Sequence, residues 1–327
     1  MLFVGLAAIW GTAYLAIDVG LRSAPPVTLA ALRYDVAGAV LLVAALAGPV
    51  RRGGRWRPRG AEGWKLVTEG GLLVVGLHFA LLFAGQQYVS GGIASVVMSL
   101  TPVLTPIFAL WLLSGERLDS RETVGVLLGL LGVAIVARPT PGAGSGGQLA
   151  VGVALLFLSA ASLALGSVLT RRHQTEMSVV PTQAWMMGLG ALVLDALVFA
   201  LPGESFALVE PSFELLAALA YLSVVASVGG FVAYFHLLDR FGPNEATLVS
   251  YVVPMFAALS QWVVLGEGIS TATALGFGVI LLGFAAVKWR AVRRTVTPTP
   301  DRVTAVSATS SDDAVVVGGN AYYRAAD

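Results

Sequence analysis

The sequence predicts an all-α integral membrane protein with ten transmembrane helices, arranged as two inverted five-helix repeats. The prediction rests on an apolar composition, ten apolar runs and a one-sided distribution of Lys and Arg. Hydrophobic residues make up 57% of the chain and charged residues 12%, whereas soluble domains contain about 25% charged residues. The composition therefore predicts a protein embedded in a lipid bilayer. It offers no concentrated basic surface for a nucleic acid.

Ten apolar runs have lengths close to the requirement for crossing a membrane, which is about 20 residues for about 30 Å of hydrocarbon. The first run has no basic leader region and no convincing cleavage site, so we interpret it as a retained helix. The predicted spans are 2–20, 26–48, 64–84, 90–113, 120–137, 148–170, 179–201, 212–238, 243–265 and 270–287.

The loops between these spans carry Lys and Arg almost entirely on one side. If the N-terminus is cytoplasmic, only Arg22, Arg33 and Arg138 of the 20 Lys and Arg residues fall outside the cytoplasmic segments. Short cytoplasmic loops are enriched in these residues. The pattern predicts a multi-pass protein of the cell membrane with both termini cytoplasmic and with external loops around Gly144 and Gly203.

The chain repeats itself at a fixed spacing. The matching residues lie 151 positions apart: Trp111 and Trp262, Glu116 and Glu267, Gly125 and Gly276, Gly132 and Gly283. Because each half holds an odd number of spans, the second half enters the membrane from the opposite side. The predicted organisation is one repeat over residues 1–140, a second over 148–290 and a disordered cytoplasmic tail over 291–327. Inverted repeats place a transport site near the midplane.

Several motifs, two of them present in both halves, resemble the EamA-type repeat of the drug/metabolite transporter superfamily. The resemblance covers about residues 1 to 290 and implies the fold and a role in carrying small metabolites, without naming a substrate. The chain departs from small multidrug-resistance relatives because its first helix has no central carboxylate. The motifs are Trp10-Gly11-Thr12, Leu32-Arg33-Tyr34, Tyr88 to Ser95 with Thr101-Pro102, Gly115 to Leu118, Gly125 to Gly132, Phe241 to Ala246, Pro254 and Gly266-Glu267.

Ionisable residues inside a span are costly and need an explanation. His78 lies near the midplane of the third span, where it could bind solute or titrate; alternatively, it is a neutral imidazole bonded to a neighbouring helix. Asp18 and Arg33 lie near the outer ends of the first two spans. They are predicted to form an outer-rim ion pair that pins two helices, and an anion site is the alternative.

Aromatic and small polar side chains at suitable depth are candidates for the lining of a substrate cavity, although each could equally serve packing. Prolines in the fourth and ninth spans remove backbone hydrogen bonds and are candidates for hinges or kinks. The prolines are Pro102, Pro106 and Pro254. The lining candidates are Trp10, Tyr14, His78, Met98, Thr101, Ser162, Trp185, Tyr221, Ser250 and Tyr251.

These features favour a secondary transporter of a small organic solute, with export favoured by the resemblance. The chain has no ATPase motif and no intramembrane-protease motif, so we expect no enzymatic activity, no catalytic residue, no cofactor and no metal site. Its expected partners are the solute and the lipid bilayer. A membrane sensor or scaffold without transport is the alternative, and the sequence leaves a coupling ion and a homodimer open.

Overall fold

The computed structural model describes residues 1–50, 55–113, 120–137, 146–173, 177–241, 243–287, 314–317 and 320–323. Most of these residues lie in helical segments, numbered here in chain order. The segments are α1, Leu2–Gly20; α2, Pro26–Ala45 with a π-helical turn, Leu46–Val50; α3, Gly60–Glu69, π-helical Gly70–Leu77 and His78–Gln86; α4, Gly91–Met98 and Thr101–Leu112; α5, Ser120–Val136; α6, Gly146–Thr170; α7, Val179–Ala200; α8, Phe213–Ala220, π-helical Tyr221–Gly229 and Gly230–Phe241; α9, Pro243–Leu265; and α10, Thr271–Val287. A 3₁₀ turn, Phe206–Leu208, precedes α8.

Eight of these helices are long and apolar enough to cross a membrane: α1 to α4 and α6 to α9. Helix α10 is a shorter apolar helix, and α5 also has only 17 residues, with Glu122 in its first turn. The protein is therefore a multi-pass, largely helical membrane protein. Ten membrane crossings stay a prediction, as does the inverted arrangement of the halves.

Helices from the two halves pack against one another throughout the compact unit Met1–Trp289. The most extensive contacts join α5 to α10, α3 to α6 and α2 to α7. Others join α1 to α9, α4 to α6, α3 to α7 and α2 to α8. The largest buried side chains of the core include Tyr34, Phe83 and Leu156.

Glycines allow the backbones of α5 and α10 to approach closely. A Cβ atom added at Gly132 would lie 2.7 Å from the carbonyl oxygen of Gly276, and one added at Gly276 would lie 2.7 Å from the carbonyl oxygen of Gly132. Gly125 and Gly283 face each other in the same way. Small residues at helix contacts are typical of membrane proteins, in which close van der Waals packing replaces the hydrophobic effect.

The prolines occupy different kinds of position. Pro102 lies in the first turn of the second segment of α4, after the interruption that follows Met98, and this position tolerates a missing N–H group. Pro106 and Pro254 lie inside helices α4 and α9. Whether any of them acts as a hinge stays a prediction.

The second unit, Arg290–Asp327, contains an antiparallel pair of strands, Ala314–Val317 and Asn320–Tyr323. The predicted disorder of the tail stays a prediction. Glu116 and the predicted linker around Gly144 lie outside the described residues.

Candidate functional site

Four helices meet at the carboxylate of Asp18, at the end of the bundle where α1 ends and α4 begins. Gln86 of α3 donates from Nε2 to Asp18 Oδ1 at 2.7 Å and to the carbonyl of Tyr14 at 2.6 Å. Gln261 of α9 donates from Nε2 to Asp18 Oδ2, and the backbone N–H of Gly91 donates to the same oxygen at 3.1 Å. One carboxylate thus joins α1, α3, α4 and α9. We call this end of the bundle the Asp18 end.

The predicted ion pair between Asp18 and Arg33 is absent from the structure. The Asp18 carboxylate is occupied by two side-chain amides and a backbone N–H group, whereas Arg33 Nε donates to Ser227 Oγ at 3.0 Å. The pair was predicted because Asp18 and Arg33 lie at similar depth on neighbouring helices. In the structure, each side chain instead bonds to polar groups that are distant from it in the sequence. The prediction of an outer-rim ion pair is therefore wrong, and Asp18 and Arg33 belong to two separate polar centres.

Arg33 lies among aromatic rings and is only 5% exposed. Its Cζ atom is 4.7 Å from the ring centroid of Phe79, 5.1 Å from that of Tyr34 and 5.9 Å from that of Phe83. Ring faces attract a guanidinium group electrostatically. Because Ser227 belongs to the π-helical part of α8, Arg33 connects the two halves of the chain.

His78 joins α3 to α6 by hydrogen bonds with the hydroxyl and the backbone carbonyl of Ser159. Ser159 Oγ donates to the carbonyl of His78 at 2.8 Å, and His78 Nδ1 lies 2.8 Å from the same Oγ. The single hydroxyl proton is used on the carbonyl, so Nδ1 carries the proton donated to Oγ and Nε2 is left as an acceptor. These bonds agree with the structural alternative for His78, a neutral imidazole bonded to a neighbouring helix.

The π-helical stretches of α3 and α8 receive side chains from the first helix of the opposite half. Ser162 of α6 donates to the carbonyl of Leu73 in α3 at 2.7 Å. Trp10 of α1 donates from Nε1 to the carbonyl of Ala226 in α8 at 3.2 Å. A π-helical turn disturbs the regular ladder and leaves carbonyl groups available to such donors. Ser162 and Trp10 thus hold these stretches through specific hydrogen bonds.

The remaining lining candidates lie in several different environments. Tyr221 donates from its hydroxyl to the carbonyl of Ile9 at 3.0 Å. The Thr101 hydroxyl donates to the carbonyl of Met98 at 2.8 Å. The Met98 side chain is buried. Tyr251 packs against Phe284 with ring centroids 3.9 Å apart, and its buried hydroxyl has no hydrogen-bond partner among the described residues. Tyr14 and Ser250 are half-buried.

Trp185, a further lining candidate, lies in an aromatic cluster at the opposite end of the bundle, and its place in a cavity stays a prediction. Its Nε1 donates to the carbonyl of Trp56 at 2.7 Å, and the two indoles stack with centroids 6.3 Å apart. Trp64 lies edge-on at 5.4 Å. Trp185 lies six residues after the start of α7 and is therefore near a helix end, where indoles commonly form interfacial belts.

His173 forms another polar centre at this opposite end, which we call the His173 end. Its Nδ1 lies 2.6 Å from a Glu62 carboxylate oxygen and its Nε2 lies 2.9 Å from Glu69. The hydrogen bond to Glu62 raises the pKa of His173 above its ordinary value of 6.5, with a further rise from Glu69 and an opposing effect of partial burial. Both ring nitrogens of His173 therefore have a hydrogen-bond partner. The described residues contain no group of three or more side chains arranged to hold a metal.

The His173 centre predicts a pH-dependent stability. A folded-state pKa above the unfolded value means that the stabilisation is complete below about pH 6.5 and is lost as the pH rises through the folded-state pKa. The difference in melting temperature between the parent and His173→Ala should therefore be largest near pH 6 and shrink towards pH 9. His236→Ala is the control, because His236 bonds only to a backbone carbonyl among the described residues. A difference that stays constant with pH would contradict this prediction.

Sequence reasoning missed the polar partners of Asp18, His78 and Arg33. Gln86, Gln261, Ser159 and Ser227 are uncharged, and nothing in their spacing indicates that they share a site with Asp18, His78 or Arg33. Polar side chains inside a span could have been collected as candidates by their cost in hydrocarbon alone. Their pairing needed the packing of helices that lie far apart in the sequence.

Comparisons with known proteins cover most of the chain. The model of the EamA-like transporter family matches residues 1–138 and again residues 150–289. YedA, an uncharacterized inner membrane transporter of Escherichia coli strain K12, is 30% identical over 287 residues, which are 86% of this chain and 88% of YedA. YvbV, an uncharacterized transporter of Bacillus subtilis, is 25% identical over 288 residues, 88% of this chain and 90% of YvbV. These matches confirm the resemblance seen in the motifs.

A solved crystal structure shows a shared fold. It superimposes with a TM-score of 0.57 at 24% sequence identity, covering 89% of this chain and 98% of that chain.

Proposed function

Because the chain belongs to the EamA-like transporter family, we propose that it is a secondary active transporter of a small organic solute across the cytoplasmic membrane. The solute moves by alternating access between two inverted five-helix halves, α1 to α5 and α6 to α10. Both termini lie in the cytoplasm, and the Asp18 end faces outward. Export is the favoured direction, in keeping with the resemblance to metabolite exporters.

The observation that carries this proposal is the two-fold relation among the helix contacts. Exchanging each helix of one half for its counterpart in the other turns the contact of α1 with α9 into that of α6 with α4. It likewise turns the contact of α3 with α7 into that of α8 with α2. Helices α5 and α10 exchange with each other, as do α2 and α7. Such pseudo-symmetry supports two halves that can exchange conformations around a central site.

The repeat spacing supports the same relation at the level of single residues. A shift of 151 residues carries Gly125 to Gly276 and Gly283 back to Gly132, so the two close glycine contacts of α5 with α10 replace each other. The same shift carries the start of the π-helical stretch at Gly70 to the start of the second stretch at Tyr221. Both halves therefore disturb their third helix at equivalent places.

Polar centres between the halves support a solute path that can be closed at either end. At the Asp18 end, Gln261 of the second half reaches Asp18 of the first. Glu204 also accepts hydrogen bonds from the backbone N–H groups of Val27 and Thr28, at 3.1 and 2.9 Å. At the His173 end, His173 of the second half binds two glutamates of the first. Alternating access requires such contacts to break on one side at a time.

Transport is tested with the purified full chain in liposomes loaded with a mixed metabolite library. Saturable loss of particular solutes from the lumen, measured by mass spectrometry against protein-free liposomes, is the expected result. Equal retention of every solute in both preparations would favour the alternative, a membrane sensor or scaffold.

The proposed orientation predicts which ends of the bundle react from outside the cell. The chain contains no cysteine, so single cysteines can be placed without a background reaction. Ala207→Cys at the Asp18 end should react with an impermeant maleimide in intact cells, whereas Ala61→Cys at the His173 end should react only after the membrane is permeabilised. Both alanines are exposed, which makes the two variants a matched pair. Labelling of both in intact cells would reject the orientation.

A further inference from the structure

We propose that the Arg33 guanidinium binds the carboxylate of the solute at the interface between the two halves. This inference rests on the proposed transport function and deepens it, because it assigns a substrate class, an organic monocarboxylate. Four properties of Arg33 carry it: burial, uncommitted donors, aromatic surroundings and the lack of a counter-charge.

Arg33 is held at one edge only. Its Nε donates to Ser227 Oγ at 3.0 Å, and Ser227 uses its own proton on the carbonyl of Leu222 at 2.9 Å. The hydroxyl is thereby oriented to accept from Arg33. The other two nitrogens, Nη1 and Nη2, make no hydrogen bond to the described residues. An Arg that is fixed through Nε presents its remaining N–H groups as a preoriented set of donors.

The aromatic rings around Arg33 compensate part of its charge without using these donors. Phe79, Tyr34 and Phe83 interact with the guanidinium carbon through their ring faces. Cation–π attraction of this kind leaves the N–H groups in the guanidinium plane available. The rings also give the surroundings of the charge an apolar character, which suits an organic acid better than a fully hydrated inorganic ion.

The unpaired positive charge of Arg33 favours the binding of an anion. Among the described residues Arg33 is the only Lys or Arg that is buried, and no described carboxylate forms an ion pair with it. The carboxylate that was predicted to pair with it, Asp18, is committed to Gln86 and Gln261, and Asp35, two residues further along α2, is exposed. Because an unpaired charge in a low-dielectric interior is costly, a bound anion that restores neutrality would be strongly favoured.

Charge balance selects a carboxylate over a phosphate. One carboxylate neutralises one guanidinium and can accept two parallel N–H bonds from it. A phosphate dianion would leave a second buried negative charge without a partner.

Binding can be measured without transport, so that the two proposals are tested separately. The purified full chain in detergent is melted in the presence of a panel of organic carboxylates, each beside its size-matched neutral amide, for example benzoate and benzamide. Inorganic phosphate is included as the competing anion. At least one carboxylate should bind about tenfold or more tightly than its amide, as expected for hydrogen bonds to charged groups. Arg33→Gln should reduce this preference to less than twofold.

Two further variants guard against an effect on folding alone. Arg33→Lys keeps the charge but loses the planar fork, so the preference should fall severalfold even if Arg33→Gln does not fold. Arg22→Gln changes an exposed Arg at the Asp18 end and should leave the preference unchanged.

The proposal is overturned if no carboxylate binds better than its amide, if phosphate binds better than every carboxylate, or if a folded Arg33 variant keeps the full preference. Loss of a neutral solute from proteoliposomes, combined with any of these results, would leave the transport function standing and reject only the anion site.

Discussion

Replacing Gly276 by leucine is expected to lower the free energy of unfolding by about 3 kcal/mol or more, at the upper end of the cost of overpacking. Even the first side-chain carbon would lie 2.7 Å from the carbonyl oxygen of Gly132 on α5. A backbone carbonyl cannot turn away as a side chain can, so α5 and α10 would have to separate. That contact is among the most extensive in the protein.

Gly278 provides a matched control on the same helix. No atom lies within 4 Å of a Cβ atom built at Gly278, and the residue is exposed. Gly278→Leu should therefore leave the melting temperature unchanged or raise it, because leucine favours a helix more than glycine does. Melting of the purified variants, followed by tryptophan fluorescence, measures the difference. Equal melting temperatures for the two leucine variants would mean that α5 and α10 do not pack as described.

Replacing Asp18 by alanine is expected to lower the free energy of unfolding by about 3 kcal/mol. The substitution removes an acceptor that several donors share, and each buried donor left without a partner costs about 1–3 kcal/mol. Gly91 N–H and Gln261 Nε2 would both lose their partner, while Gln86 keeps its bond to the Tyr14 carbonyl. Asp18→Asn should cost less, because the amide keeps one acceptor oxygen. The melting temperature should be highest for the parent, lower for Asp18→Asn and lowest for Asp18→Ala.

Asp195 provides the control for the loss of a carboxylate from a span. Its Oδ1 is buried and has no hydrogen-bond partner among the described residues. Asp195→Asn removes a costly charge without breaking a described bond, so it should leave stability unchanged or increase it. If Asp195→Asn destabilises the protein as much as Asp18→Asn, the hydrogen bonds to the Asp18 carboxylate do not stabilise the bundle as described.

The positions of the helices could be read from the sequence with little error. The predicted span at 2–20 is helix α1, and that at 179–201 ends one residue after α7. Apolar length is a local property of the chain, so composition alone reveals it. The third helix was predicted to begin at Trp64, but it begins at Gly60, because a membrane helix can extend beyond its apolar part. The π-helical stretches of α3 and α8 were not predicted, because the side chains that bond to their carbonyl groups come from other helices.

The hydrogen-bond partners of the candidate residues were predicted less well than the helices. The cost of a charge inside a span drew attention to Arg33 and Asp18, which were predicted to pair with each other, whereas the structure gives them Ser227 and Gln261 as partners. Trp185 was assigned to the cavity by its aromatic character, which does not distinguish a cavity from an interfacial cluster. The residues that complete each centre are small or uncharged, so no sequence pattern marks them.

The sequence by itself determined that this is a multi-pass helical membrane protein, where its helices lie and which family it belongs to, because these depend on apolar length and on motifs along the chain. Only the tertiary structure decided which polar groups share a site. In hydrocarbon each buried donor or charge takes the partner that helix packing brings within about 3 Å, and in this protein those partners come mostly from the other half of the chain.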